Sequence, residues 1–89
     1  MTIRFGELAN ILDNDLKIMV REKTSYSAYN YIGRVKDMTF SDFRNIYNMT
    51  VVKINDLSKE TICNDYFNIP VTLASPYERG IATIEIVLN

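Results

Sequence analysis

The feature that most constrains this chain is its C-terminal run Ile81-Ala82-Thr83-Ile84-Glu85-Ile86-Val87-Leu88, where every residue except Glu85 is apolar or β-branched. Apolar residues at both parities leave no continuous polar face for water. The run therefore reads as a strand covered on one side and partly covered on the other. Gly80 stands directly before it, where a turn releases the chain into the strand. Such a strand belongs well inside a sheet, and the other elements have to be arranged around it.

Those elements can be read from the N-terminus. Thr2 can cap a helix, in which Phe5, Leu8, Ala9 and Leu12 recur at helical spacing. Gly6 weakens that helix by roughly 1 kcal/mol relative to alanine, so it depends on packing. Asp13-Asn14-Asp15 ends it with turn chemistry. Leu16 to Arg21 alternates cleanly, with Leu16, Ile18 and Val20 on one face, as in a half-buried strand. After a polar connection, Ala28 to Val35 is rich in aromatic and β-branched residues and should pair with that strand. Without a bulge, Tyr29, Tyr31, Gly33 and Val35 share a face; Gly33 marks a bulge or a close backbone approach.

Thr39-Phe40-Ser41-Asp42 resembles a capping box and predicts a short helix over residues 40–47, with Phe40, Phe43, Ile46 and Tyr47 at helical spacing. Thr50 to Leu57 reads as a strand with Val52 and Ile54 on one face and Val51 and Lys53 on the other. Residues 66–73 contain strand formers, but Pro70 demotes them to an edge strand or ordered loop. The order α-β-β-α-β-(β)-β predicts one α+β domain: a mainly antiparallel sheet of four to five strands with two short helices on one face. With 89 residues there is room for one domain and a modest core.

Composition narrows the chemistry. The chain has no histidine, the commonest general base and metal ligand near neutral pH. Cys63 is the only cysteine, so no internal disulfide and no Cys–His nucleophile can form. Asp13 and Asp15 have the spacing of the first half of a calcium loop, but the glycine and closing glutamate of that loop are missing. No phosphate loop or metal-ligand cluster is present. We therefore expect no catalysis, no metal and no cofactor. Ten Lys/Arg against 11 Asp/Glu give a net charge of -1, which argues against direct nucleic-acid binding and against an acidic nucleic-acid mimic. No apolar stretch spans a membrane and no signal peptide is visible, so a reducing cytoplasm is the expected location.

What remains is aromatic. Tyr26, Tyr29 and Tyr31 sit near Arg34, while Tyr66 and Tyr77 sit near Arg79. The plainest reading is that these tyrosines cover a thin sheet and keep their hydroxyls in water. A protein interface comes next, since tyrosine and arginine combine large contact area with a polar handle. Stacking on nucleobases comes last, with Arg34, Lys36 and Arg79 facing phosphate.

Phe5-Gly6-Glu7-Leu8-x-x-Ile11-Leu12-Asp13, the strand from Leu16 to Arg21, the segment Tyr31 to Asp37 and the closing Ile84-Glu85-Ile86 resemble small proteins of phages and prophages of low-GC Gram-positive bacteria. The resemblance implies a non-enzymatic accessory protein made inside an infected cell. Such proteins include inhibitors of bacterial immunity, among them anti-CRISPR proteins that bind an effector nuclease, and sponges for nucleotide signals. No diagnostic anti-CRISPR motif can be quoted, so no site residues carry over. The expected function is binding and occlusion of a host protein through Tyr26, Tyr29, Tyr31 and Arg34, with Tyr66, Tyr77 and Arg79 alongside. Two alternatives stand beside it: an oligomeric nucleotide-binding protein, and a structural phage protein that assembles with copies of itself.

Overall fold

In the computed structural model, which describes residues 2–25, 28–59 and 79–89, the chain runs β1 (Ile3–Arg4), α1 (Phe5–Ile11), β2 (Lys17–Glu22), β3 (Tyr31–Arg34), α2 (Phe40–Ile46), β4 (Thr50–Asp56) and β5 (Ile84–Leu88). Single 3-10 turns follow β3 and β4, at Val35–Asp37 and Leu57–Lys59. The strands form one sheet in the order β1-β4-β5-β2-β3. The apolar C-terminal run is thus the middle strand, antiparallel to β4 and parallel to β2. The other two pairs are antiparallel. This is the expected α+β architecture, with one parallel pair that strand patterns alone do not announce. Parallel neighbours need a long crossover, and here β3, α2 and β4 all intervene between β2 and β5.

One face of β2 and β5 carries Ile18, Val20, Ile86 and Leu88, and Phe5 and Leu8 of α1 and Ile46 of α2 close over it. Both helices therefore pack on the same side. Phe5, Ile18, Val20, Ile46, Ile86 and Leu88 are the largest fully buried side chains. Each contributes roughly 1.5–3 kcal/mol relative to exposure. The opposite face holds a smaller cluster of Met19, Leu57 and Ala82. Strand β2 is therefore covered on both sides, where its alternation suggested only one. The 3-10 turn after β4 and the approach to β5 supply that second cover, and neither is local to β2.

Several local expectations shift. Thr2 does not cap α1, because Ile3 and Arg4 first pair with Val51 and Thr50 of β4. The helix starts only at Phe5, with the Glu7 carboxylate accepting from the Arg4 backbone N–H at 3.3 Å. Gly6 has a packing reason: its N–H donates to the Tyr47 carbonyl at 2.9 Å, and a Cβ there would lie 3.2 Å from that oxygen. The capping box of α2 forms as read, with Thr39 Oγ1 accepting from the Asp42 N–H at 3.1 Å. Strand β3 is shorter than the run from 28 to 35. Gly33 sits in it at φ 151°, a conformation that side chains avoid, and a Cβ there would meet the Tyr31 hydroxyl at 2.9 Å.

In β4 the register shifts between Val51 and Lys53, leaving Val52 without a partner in β5. That bulge breaks the expected alternation. Val51 and Ile54 now face Leu88 and Ile86, while Lys53 and Asn55 face Val87 and Glu85. The expected edge element at 66–73 lies outside the described residues, as does Cys63.

Candidate functional site

The structure separates the residues that the sequence groups together. Tyr29 precedes β3 and packs against the Met19–Leu57–Ala82 cluster. Its hydroxyl donates to Glu85 Oε2 at 3.1 Å. Glu85, the one charge in the middle strand, also accepts from Asn55 Nδ2 at 2.8 Å and pairs with Arg21 Nε at 3.3 Å. Three separate elements thus converge on one partly buried carboxylate, which satisfies a charge that would otherwise be costly inside a sheet.

Tyr31 lies on the other side, with its ring against the main core and its hydroxyl donating to the Arg34 carbonyl. Burial raises its pKa first of all, and the charges of Asp37 and Asp42 add to the rise. Tyr29 and Tyr31 therefore do not share a surface, and each hydroxyl is used inside the molecule. That corrects the expected common face, and the reason is that only Tyr31 belongs to the strand.

The cations of the alternative phosphate site are also dispersed. Arg34 is exposed and lies opposite Lys17, whose Nζ donates to the Gly80 carbonyl at 2.9 Å. Lys36 is 2.9 Å from Asp15 Oδ1, and its hydrogen bond and charge together hold the Asp15 carboxyl below its ordinary pKa. Arg79 is exposed at the turn before β5. Tyr26, Tyr66 and Tyr77 lie outside the described residues. Among the described residues no group of three or more acidic, cysteine or histidine side chains could hold a metal. No helix among them is long and apolar enough to cross a membrane.

A different set of aromatics is available. Phe40, Phe43, Arg44 and Tyr47 follow one another at i, i+3, i+4 and i+7, so they form a stripe along α2 and its C-terminal turn. Phe43 anchors the stripe: its ring packs on Phe5 with centroids 6.2 Å apart and stacks on Tyr47 at 5.8 Å and 24°. Phe40 and Tyr47 reach outward, 79% and 41% exposed. With Arg44 they line a depression on the helix side of the molecule. Past Phe43 and Tyr47 the surface continues over Gly6 to Arg4, Glu7, Asn10 and Asn48, a polar end between the two helices.

The helical spacing of Phe40 and Tyr47 was legible, but their exposure was not. At about 100° per residue, Ile46 and Phe43 stand about 60° apart and both can reach the core, whereas Phe40 is about 120° from Ile46. That angle was the available signal. The chain matches no family model, no curated protein and no solved structure.

Proposed function

We propose that this chain is a non-catalytic protein-binding module, of the kind encoded by phages and mobile elements, that acts by covering a surface of a host protein. The observation that carries this reading is the α2 stripe. A phenylalanine 79% exposed beside a half-exposed tyrosine and an arginine is an arrangement that folding alone does not favour. Aromatic and arginine side chains are the residues that anchor protein interfaces. Phe43 is packed on Phe5 and stacked on Tyr47, so that part of the stripe is ordered before any partner arrives and loses little conformational freedom on docking.

On this reading the docking surface is α2, with Phe40 and Tyr47 as anchors, rather than Tyr29 and Tyr31, whose hydroxyls are already committed. Arg34 is exposed at the far sheet edge and is not needed for it.

The test is capture of partners by the tagged chain from a Gram-positive host lysate, read by mass spectrometry, alongside a Phe40→Ala/Tyr47→Ala variant of unchanged melting temperature. One stoichiometric protein held by the wild type and lost by the variant is the expected outcome. Equal capture by both would remove α2 as the docking surface, and no specific capture by either would remove the reading itself.

A further inference from the structure

We infer that the partner segment seated on α2 is acidic, with an apolar side chain between Phe40 and Tyr47 and a carboxylate on the guanidinium of Arg44. This deepens the protein-binding reading and rests on it. The inference comes from the charges around the stripe. Arg44 is exposed and has no hydrogen-bond or ion-pair partner among the described residues. It lines the depression together with three aromatic rings. Arg4, at the polar end, donates from Nη1 to Asn48 Oδ1 at 3.3 Å, a neutral acceptor. Among the described residues, Glu7 is the only acidic side chain lining either part of this groove.

A purely apolar segment pressed onto the aromatic end would strip water from Arg44 without giving it an acceptor, which opposes binding. A basic segment would add repulsion. A carboxylate restores the lost hydrogen bonds in the bidentate geometry that guanidinium favours. The adjoining rings then accept the apolar neighbour of that carboxylate.

The experiment is titration of the full ¹⁵N-labelled chain at low salt with three blocked hexapeptides that share a Leu-Phe centre. Their flanks are four glutamates, four glutamines or four lysines. A dT oligonucleotide serves as the nucleic-acid probe. Amide shifts should concentrate at Phe40, Arg44 and Tyr47. The glutamate peptide should bind about fivefold more tightly than the glutamine one, the ratio a single exposed ion pair of about 1 kcal/mol gives, and the lysine peptide should bind most weakly. The order should flatten in Arg44→Gln and reverse in Arg44→Glu.

Equal binding of the three peptides at the stripe overturns the acidic assignment and leaves the docking surface standing. Stronger binding of the oligonucleotide there overturns it in favour of nucleic acid. Absence of any shift at the stripe, together with lysate capture that ignores Phe40→Ala, overturns both the assignment and the reading beneath it.

Discussion

Among the described residues, two groups of aromatic side chains have opposite fates. Tyr29, just before β3, and Tyr31, its first residue, each spend the hydroxyl inside the fold, one on Glu85 and the other on the Arg34 carbonyl. Phe40, at the start of α2, and Tyr47, just past its end and stacked on Phe43, keep their outer surfaces in water. In sequence the first group looks the better interface, because it offers phenols beside an arginine. In space the second does, because an interface needs groups whose interactions are not already complete. Cations divide in the same way. Lys36 is paired with Asp15, whereas Arg44 has no partner among the described residues.

The comparison is broken most easily at Tyr31. Tyr31→Ala removes a ring packed on the core and uncovers Gly33, and should lower the unfolding free energy by about 2 kcal/mol, measured by urea titration. A negligible loss would mean that the ring is not a packing element. Tyr29→Phe keeps the ring and deletes only the donor to Glu85. Arg21 and Asn55 still serve that carboxylate, so the cost should be about 1 kcal/mol. Phe40→Ala should change stability by less than about 0.5 kcal/mol while abolishing partner capture, the reverse of the pattern at Tyr31. A large destabilisation there would place Phe40 in the core and erase the distinction.

The smallest effect concerns the charges. The folded-state pKa of Asp15 is depressed by Lys36, so the pair's contribution to stability is present above the ordinary carboxylate pKa of 3.8 and disappears as pH falls through the lower folded value. A carboxyl ¹³C titration should show the Asp15 midpoint below 3.8 and moving upward in Lys36→Met. Because the pair is exposed, thermal stability should hardly respond. A midpoint that ignores Lys36 would show that this lysine is as unengaged as Arg44.

Much of the fold could be read from local patterns. The apolar run of β5, interrupted only by Glu85, announced a central strand, and the alternation of β2 announced its core face. Thr39 and Asp42 announced the start of α2, since a cap is made of residues three apart. What could not be read depends on residues far apart in the chain. The parallel pairing of β2 with β5, the burial of Met19 under Leu57 and Ala82, and the convergence of Arg21, Tyr29 and Asn55 on Glu85 all arise from contacts between distant segments. The bulge at Val52 put Val51 on the face of Ile54 because a strict period of two assumes that no residue is inserted. For the candidate site, local spacing placed Phe40 and Tyr47 on one helix, but only the docked orientation of that helix shows which of its rings face water.

Placing β5 in the middle of the sheet also dictates how the chain must fold. Its two neighbours, β2 and β4, do not pair with each other, and each meets the other only through residues 84–88. A nascent chain that has not yet produced Ile84 has two inner strand edges exposed and no means of joining them. The hairpin of β2 with β3 and the capped turn of α2 can form early, but the sheet closes only when β5 meets β4, whose partners lie fewer than 40 residues away, and β2, whose partners lie more than 60 away. Such long-range closure is slow, and it leaves the unpaired edges open to other chains in the interval. Until residues 84–88 dock between them, the inner edges of β2 and β4 are open to pairing with another chain.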